Sequence, residues 1–363
     1  VKIGGDGIVV IAEAGVNHNG NPDMAFQLVD AAAEAGADAV KFQTFKAENL
    51  ATINTVKADY QQQTTDSNES QFAMLKRLEL TCEMHHKLIV YCKEKRIEFL
   101  STAFDAESLG FLTSDLGLKT LKIPSGEITN GPLLLAHAQT GCDLIVSTGM
   151  STLGEVEEAL GVIAFGLMYG MGVKTPSRVG FKEAYYSSQG LNLLQEKVTL
   201  LHCTTEYPAP IEDINLNAML TMRKAFGLKT GYSDHSEGVM VPIAAVAMGA
   251  TLIEKHFTLD KRLPGPDHRA SLEPVELAKM VSAIRTIEKV MGNGVKGPMP
   301  SELKNRPIVR KSLVALQAIQ AGEVFTHENV AVKRPGTGVS PMDYWDLVGK
   351  TALVTIEEDE VIL

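Results

Sequence analysis

The sequence predicts an α/β protein that consists of a (β/α)8 TIM barrel followed by a small second domain. Short apolar runs alternate with amphipathic helical stretches, which is the pattern of a parallel sheet covered by helices. The alternation occurs eight times, and eight units favour a closed barrel over an open sheet. The 363 residues exceed a barrel of about 250 residues by enough for one further module.

Each predicted strand is a short apolar run that becomes polar at its C-terminal end. The runs are IVVIAEAG (8–15), AVKFQTF (39–45), EFLSTAFD (98–105), TLKIPSGE (120–127), DLIVSTGM (143–150), VTLLHCTTEYP (198–208), KTGYSDHS (229–236) and TLIEKHFTL (251–259). Side chains alternate between the two faces of a strand, so the period of two assigns each polar residue to a face. Because barrel active sites lie at the C-terminal strand ends, these polar ends predict a functional site there.

Two connections are long, and the chain changes character near its C terminus. The first connection, residues 46–80, is predicted to form a lid. Within the second, residues 151–197, the Gly, Tyr and Ser content of 165–192 predicts a surface insertion rather than core. We assign the barrel to 1–292, a Gly/Pro/Lys-rich linker to 293–308 and a compact mixed module to 309–363. A module of this size is marginal alone, so we expect it to dock on a partner surface.

Composition excludes several classes of function. Hydrophobic residues make up 45% of the chain and charged residues 21%, which indicates a folded protein with a large core. The net charge of −10 argues against nucleic acid or an anionic membrane as partner. The four cysteines fit neither a zinc motif nor a disulfide framework. With no signal peptide evident and no run of 18 apolar residues, we expect a cytoplasmic protein.

Two histidines near the ends of the last two strands form a candidate metal site. His235 and His256 point inward by strand parity, and neighbouring strands in a barrel bring their side chains together. Two imidazoles can bind one divalent ion and leave positions for substrate oxygen and water. The alternative is that one of them is a hydrogen-bonded core histidine. Glu254 lies on the same face as His256, and the three together favour the metal.

Two inward lysines form a candidate phosphate site. Lys41 and Lys122 lie within apolar strands, and a buried lysine is costly unless an anion is close. Each could pair with a barrel carboxylate such as Glu13 or Glu127, and a Schiff-base lysine is a further alternative. Nearby hydroxyl groups favour a phosphate dianion instead. These hydroxyls belong to Thr102, Ser125 and Ser233.

Two carboxylates follow predicted strands. Glu127 comes directly after KIPSG, where it can serve as a general base or proton shuttle, or form a salt bridge to a lysine. Asp267 lies in the turn RLPGPDH (262–268), where it can contact sugar hydroxyls or remain a solvated turn residue.

Seven motifs in the sequence resemble those of the sialic acid synthase family, which includes legionaminate-type nonulosonate synthases. The matching segments, in the family's order and spacing, are IAEAGVNHNG, VKFQTF, KIPSGEITN, LLHCTTEYPAP, GYSDHS, EKHFTLD and RPGTG. The resemblance covers essentially the whole chain and implies that the last 55 or so residues form an antifreeze-like (SAF, β-clip) domain. It is specific to the family and much less specific to the sugar.

The resemblance implies roles for individual residues. His235 and His256 would bind Mn²⁺ or Mg²⁺, with Glu254 in the outer shell and Gln43 holding a metal-bound water. Tyr207 and Asp267 would hold the amino sugar. The phosphate pocket would comprise Lys41, Thr102, Lys122, Ser125 and Ser233.

The remaining implied roles concern carboxylates, the dimer and two departures from the family pattern. Glu13 and Glu127 would orient substrate and water. Family members are domain-swapped homodimers, in which the partner's arginine, here Arg334, reaches the N-acyl group. Some members have Asn where Thr205 stands, and the family's STPF motif is STAF here.

The implied reaction joins phosphoenolpyruvate to an N-acylated amino sugar with loss of phosphate by C–O cleavage. A divalent metal would polarise the sugar aldehyde. We expect N-acetylmannosamine as acceptor, giving N-acetylneuraminate, and the alternative is a 6-deoxy diacetamido hexose, giving legionaminate or a related acid. Two other classes are another metal-dependent barrel enzyme, such as a sugar epimerase or hydrolase, and a non-catalytic carbohydrate-binding protein.

Overall fold

Eight parallel strands close into a barrel in the computed structural model, which describes residues 7–58, 61–62, 65 and 69–363. The strands pair in chain order, and β1 also pairs with β8, so the predicted (β/α)8 fold is confirmed. Their bounds are β1 Val9–Gly15, β2 Ala39–Thr44, β3 Glu98–Ala103, β4 Thr120–Ile123, β5 Asp143–Ser147, β6 Val198–His202, β7 Lys229–Asp234 and β8 Leu252–His256.

Helices follow the strands and cover the barrel. The first begins at Pro22, where Asn21 accepts hydrogen bonds from two backbone N–H groups, and the chain turns at Gly36 with φ +79°. The helices are α1 Pro22–Glu34, α2 Ala47–Leu50, α3 Gln71–Leu78, α4 Cys82–Lys95, α5 Ala106–Gly110, α6 Gly131–Gln139, α7 Leu153–Tyr169, α8 Arg178–Tyr186, α9 Ser188–Lys197, α10 Asn217–Phe226, α11 Met240–Ala247 and α12 Pro274–Met291.

The barrel interior divides into an apolar layer and a charged layer. The apolar layer comes from six of the strands (β1, β2, β3, β5, β6 and β8) and comprises Val9, Ile11, Ala39, Leu100, Ile145, Leu201 and Leu252. Further along the same strands, inward positions carry charged side chains such as Glu13, Lys41 and Glu254. Sheet register places Glu13 opposite Lys41 on one side and opposite His256 on the other. The backbone therefore brings the predicted site residues into one layer.

Several predicted strands are shorter than the sequence pattern indicated. β4 ends at Ile123 because Pro124 has no N–H for the ladder, and Ser125–Glu127 form a 3₁₀ turn. β6 ends at His202, so the predicted strand 198–208 is wrong beyond that residue, and Cys203, Thr205 and Tyr207 lie after the strand.

The long connections contain helices. Residues 165–192 were predicted to form a surface insertion, and residues 171–179 are exposed. Phe165 on α7 and Ala184 on α8 are buried in the outer core, so the prediction is wrong for these two residues. The Phe165 and Phe181 rings pack edge to face with centroids 5.2 Å apart. The segment 46–80 contains α2 and α3, and its residues 59–60, 63–64 and 66–68 lie outside the described residues.

The second compact unit begins at Asn293 and has its own core. Strands β9 (Ser312–Ala315) and β10 (Val330–Lys333) pair antiparallel. Their core comprises Leu313, Ala315, Ile319, Phe325, Val330, Ala352, Ile356 and Ile362. The short helices α13 (Pro300–Leu303) and α14 (Arg306–Val309) lie in the predicted linker, and α15 (Tyr344–Leu347) follows β10. Among the described helices of both units, none is long and apolar enough to cross a bilayer.

Candidate active site

Four buried charged residues alternate in sign at the C-terminal end of the barrel. This charge ladder consists of Glu13, Lys41, Glu254 and Lys122. The Nζ atom of Lys41 lies 2.6 Å from Glu13 Oε2 and 3.6 Å from Glu254 Oε2, and Lys122 Nζ lies 3.2 Å from Glu254 Oε1. Each lysine therefore has a carboxylate partner. Lys41 pairs with Glu13, as one of the sequence alternatives proposed, and Lys122 pairs with Glu254.

Burial and neighbouring charges oppose one another within the charge ladder. Burial raises the pKa of Glu13 to about 7, although Lys41 lowers it in part. Burial would also raise the pKa of Glu254, but Lys122 and Lys41 hold that pKa well below its usual range. Burial would lower the pKa of Lys41, and Glu13 and Glu254 raise it. Of the two carboxyl groups in the charge ladder, Glu13 is therefore the one whose pKa is raised toward neutral pH.

His235 and His256 face one another beside the charge ladder, with ring centroids 5.6 Å apart. His235 Nδ1 lies 2.6 Å from the carbonyl oxygen of Thr204. A carbonyl only accepts, so Nδ1 carries the proton and Nε2 presents a lone pair. Burial lowers the pKa of His235 to about 4 and places that of His256 well below its usual value. Both imidazoles are therefore neutral, as metal ligands require.

The donor set fits a divalent ion that takes part of its coordination from water or substrate. His256 Nδ1 is buried without a hydrogen-bond partner, and it lies 3.9 Å from Asp267 Oδ2. Within the part of the chain that the structure describes, no group of three or more His, Cys, Asp or Glu side chains forms a complete ligand set. Two neutral imidazoles with open positions match a catalytic rather than a structural metal site.

A cavity of about 400 Å³ contains most of the residues predicted for the site. Those lining it are Glu13, Lys41, Gln43, Thr102, Lys122, Ser125, Thr205, Tyr207, Ser233, His235, Glu254, His256 and Asp267. Lys41 donates to Thr102 Oγ1 at 2.9 Å, and Ser233 donates to Glu254 Oε1 at 2.8 Å. Gln43 lies beside Glu13, with its Nε2 3.4 Å from Glu13 Oε1.

Two predicted site residues do not line this cavity. Glu127 lies in the 3₁₀ turn after β4, where its carboxylate accepts a hydrogen bond of 2.7 Å from Asn130 Nδ2. Arg334 lies in the second unit, where its Nε donates to the carbonyl oxygen of Val309 at 3.0 Å. The roles assigned to both residues remain predictions.

A group of hydroxyls lies at one edge of the cavity, around Gly149. The backbone N–H of Gly149 donates to Ser125 Oγ at 2.9 Å, and Ser125 Oγ lies 3.1 Å from Cys203 Sγ. A Cβ on residue 149 would lie 2.1 Å from Thr205 Oγ1, so only glycine fits. Thr205 Oγ1 is buried without a hydrogen-bond partner. This hydroxyl edge, which consists of Ser125 and Thr205, can therefore donate hydrogen bonds to an oxyanion of a ligand.

Tyr207 and Asp267 lie on the histidine side of the cavity. The Tyr207 ring packs on His235 with centroids 4.2 Å apart and lies nearly perpendicular to the His256 ring, with centroids 5.5 Å apart. Burial raises the pKa of Asp267 to about 6. Both residues adjoin the two histidines, and the role assigned to them in holding the acceptor remains a prediction.

Sequence reasoning missed a buried ion pair behind the histidines. Lys255 Nζ lies 2.5 Å from Asp234 Oδ2, and both side chains are fully buried. Asp234 Oδ1 also accepts hydrogen bonds from the backbone N–H and the hydroxyl of Ser236. Each member of the pair precedes a candidate ligand, His235 or His256. The sequence signal was a charged residue at an outward-facing strand position on two adjacent strands.

Comparison with known proteins supports one family. Residues 28–296 match the NeuB family and residues 310–363 match the SAF domain. The chain is 49% identical to N,N'-diacetyllegionaminic acid synthase of Campylobacter jejuni, covering 98% of both chains. It is 44% identical to the Legionella pneumophila protein of the same name, covering 98% of this chain and 93% of the relative.

Solved structures agree. The N-acetylneuraminic acid (sialic acid) synthetase of Leptospira borgpetersenii is 33% identical with a TM-score of 0.66, covering 83% of this chain and 90% of that one. The C-terminal module predicted as antifreeze-like is confirmed as a SAF domain. The chain therefore belongs to the NeuB family and is an enzyme of the sialic acid synthase type.

Proposed function

We propose that the protein condenses phosphoenolpyruvate with a 6-deoxy diacetamido hexose and water, giving a legionaminic acid-type nonulosonate and phosphate. The observation that supports this most is the juxtaposition of the charge ladder with two neutral histidines in one cavity. The two relatives named as N,N'-diacetyllegionaminic acid synthases favour this acceptor over N-acetylmannosamine, the first expectation from sequence.

The proposal assigns phosphoenolpyruvate to the lysine side of the cavity. Lys41 and Lys122 would donate charge-assisted hydrogen bonds to the phosphate, and the hydroxyl edge around Ser125 and Thr205 would complete its shell. An incoming phosphate competes with Glu13 for Lys41. Because the pKa of Glu13 is about 7, that carboxyl group can take up a proton and release the lysine to the substrate.

The acceptor aldehyde is assigned to the histidine side. A divalent metal held by His235 and His256 would supply Lewis-acid polarisation there when bound. Tyr207 and Asp267 would hold the sugar so that its C1 faces C3 of phosphoenolpyruvate, which makes positioning the main contribution of the chain. Gln43 and Glu13 lie close enough together to orient one water for addition at C2.

The proposed reaction forms one carbon–carbon bond and breaks one carbon–oxygen bond, with no external oxidant or reductant. A bond forms between C3 of phosphoenolpyruvate and the aldehyde carbon, whose oxygen takes up a proton. Water adds to C2 and gives up a proton, and the C2–O bond to phosphorus-bound oxygen breaks, so inorganic phosphate leaves. Lys41 and Lys122 remain beside the phosphate throughout, where they stabilise the departing charge.

We further propose that the active site is completed within a homodimer. The cavity lining contains no arginine among the described residues, and an N-acyl oxygen needs a donor. Arg334 is exposed in the second unit and precedes Pro335 and Gly336, so it can be presented to a neighbouring barrel. The family resemblance supports this domain-swapped arrangement.

Isotope transfer tests the proposed chemistry. Purified protein with Mn²⁺, a diacetamido 6-deoxy hexose and phosphoenolpyruvate carrying ¹⁸O in its bridging position should release phosphate that contains the ¹⁸O label. Unlabelled phosphate would show P–O cleavage instead and contradict the mechanism. Intact phosphoenolpyruvate with a chemically changed sugar would support the epimerase or hydrolase class.

A further inference from the structure

One side of the cavity is apolar. This apolar wall consists of Val16, Phe45, Leu50, Met74, Leu75, Leu78 and Phe104. Its residues follow the ends of β1, β2 and β3 or lie on the helices α2 and α3. Val16, Phe45, Met74 and Leu78 are at most 5% exposed, and Leu50, Leu75 and Phe104 are half-buried against them. The Phe45 and Phe104 rings meet edge to face with centroids 6.0 Å apart.

The apolar wall lies beyond the charge ladder along the same strands. Val16 and Phe45 come a few residues after Glu13 and Lys41, on the C-terminal side. An acceptor whose aldehyde end lies between the histidines and the charge ladder must therefore direct the rest of its carbon chain either to solvent or along this wall. The wall would bury methyl groups and exclude water from them.

The polar groups near the apolar wall are neutral amides. Gln61 and Gln71 line the cavity, and Gln71 Nε2 lies 3.4 Å from Gln61 Oε1. Amides can exchange hydrogen bonds with an acetamido group, but they do not neutralise a phosphate ester. Histidines apart, the cations among the described cavity-lining residues are Lys41 and Lys122, and both are ion-paired with carboxylates.

From these observations we infer that the apolar wall determines acceptor specificity. It accepts the C6 methyl and acetamido methyl groups of a diacetamido 6-deoxy hexose, and it rejects a C6 hydroxyl or phosphate. This inference rests on the proposed function, because it concerns the acceptor end of the same cavity. A hydroxyl or phosphate oxygen that faces the hydrocarbon side chains of the wall loses its hydration and gains no hydrogen bond from them.

Wild-type selectivity gives the first test. With phosphoenolpyruvate saturating, kcat/KM should be at least about 10-fold higher for a diacetamido 6-deoxy hexose than for the analogue that differs only by a 6-hydroxyl. The 6-phosphate of that analogue should give no measurable turnover. Equal kcat/KM for the deoxy and hydroxy acceptors would overturn the inference, as would efficient use of the 6-phosphate.

Variants of the apolar wall give the second test. Leu75→Gln and Leu50→Gln each place an amide at a half-buried position that lines the cavity. Each should lower kcat/KM for the 6-deoxy acceptor by about 10-fold, reduce the preference over the 6-hydroxy acceptor, and leave the KM for phosphoenolpyruvate unchanged. The matched control is Leu80→Gln, which changes a half-buried leucine packed against the barrel core outside the cavity lining.

The outcomes separate the inference from the proposed function. Wild-type protein that makes no product from phosphoenolpyruvate and any amino sugar would refute the proposed function, and the inference would fall with it. Active wild-type protein whose selectivity survives in folded Leu75→Gln and Leu50→Gln variants would overturn the inference alone. Loss of selectivity in the Leu80→Gln control as well would also count against the wall, because the effect would then be general.

Discussion

The two histidines show how neighbouring groups prepare a residue for chemistry. The carbonyl of Thr204 fixes the tautomer of His235, and burial keeps both rings neutral near pH 7. Strand parity predicted that His235 and His256 face inward. The tautomer could not be predicted, because it depends on the backbone carbonyl of Thr204. That residue lies in the loop after β6, where strand parity does not apply.

Removal of the metal should abolish activity. A chelator should stop product formation, and Mn²⁺ or Mg²⁺ should restore it, because the aldehyde then regains its Lewis acid. His235→Ala should remain folded but bind Mn²⁺ at least about 10-fold more weakly, which titration calorimetry measures directly. Undiminished turnover by the metal-stripped enzyme would contradict the assignment of His235 and His256.

Burial of Asp267 is predicted to lower the stability of the fold at neutral pH. Its pKa is about 6 in the folded protein and 3.8 in the reference state, so folding favours the protonated form and ionisation destabilises the fold as the pH rises between these values. Asp267→Asn removes that penalty. We expect the variant to be more stable than wild type at pH 7 by roughly 2–4 kcal/mol, with the gain vanishing below pH 4.

Urea unfolding of both proteins at several pH values measures this difference. Asp260→Asn is a suitable control, because hydrogen bonds from Arg262 lower the pKa of Asp260 to about 2. That substitution should give no gain at pH 7. A pH-independent difference between Asp267→Asn and wild type would show that the carboxyl group is not destabilised by burial.

At the scale of the elements, β7 and β8 hold the site in place. The sheet register sets Asp234 opposite Lys255, and their ion pair connects the two strands directly behind the histidines. Lys255 Nζ also donates to the carbonyl oxygen of Ser236, which fixes the chain just after His235. The positions of the candidate metal ligands therefore depend on a pair of residues that do not line the cavity.

Breaking this ion pair should cost more than removing it. Lys255→Met leaves the carboxylate of Asp234 buried without its cation, which we expect to destabilise the fold by about 3–5 kcal/mol. The double variant Asp234→Asn with Lys255→Met should recover part of that loss in urea unfolding. A double variant no more stable than Lys255→Met alone would mean that the two charges are not coupled.

The elements also show how far the sequence could be interpreted. All eight strands were predicted, because each strand of the barrel contains the short apolar run by which it was identified in the sequence. Strand ends were predicted less well: β4 and β6 stop early, so Thr205 and Tyr207 reach the cavity from a loop rather than by strand parity. The burial of Phe165 was not predicted, because the segment that follows it is rich in glycine and its composition indicated a surface segment.

At the scale of the molecule, the net charge and the site have opposite requirements. A chain of net charge −10 repels an anionic substrate at long range, so attraction must come from nearby cations. We propose that Lys41 and Lys122, which line the cavity, supply it. The sequence offered Glu13 as a partner of Lys41, and the structure shows that pair. It did not predict that Glu254 pairs with Lys122, because these two residues come from β8 and β4 and meet only inside the closed barrel.

Complementation tests whether the site is shared between two chains. If Arg334 acts on the partner's barrel, a mixture of inactive His235→Ala and inactive Arg334→Ala chains should regain activity. In each mixed dimer one site carries both defects and the other carries neither, so random mixing should restore about a quarter of wild-type activity. Mixed dimers that form but remain inactive would rule out action in trans.

A competition between two acceptors shows directly which sugar the enzyme condenses with phosphoenolpyruvate. Equal amounts of a diacetamido 6-deoxy hexose and N-acetylmannosamine are incubated with the enzyme, Mn²⁺ and limiting phosphoenolpyruvate, and the products are identified by mass spectrometry. We expect the main product to have the mass of the diacetamido sugar plus the pyruvate unit, and an equal amount of phosphate to be released. A product mixture dominated by N-acetylneuraminate, or no product that contains the pyruvate unit, would contradict it.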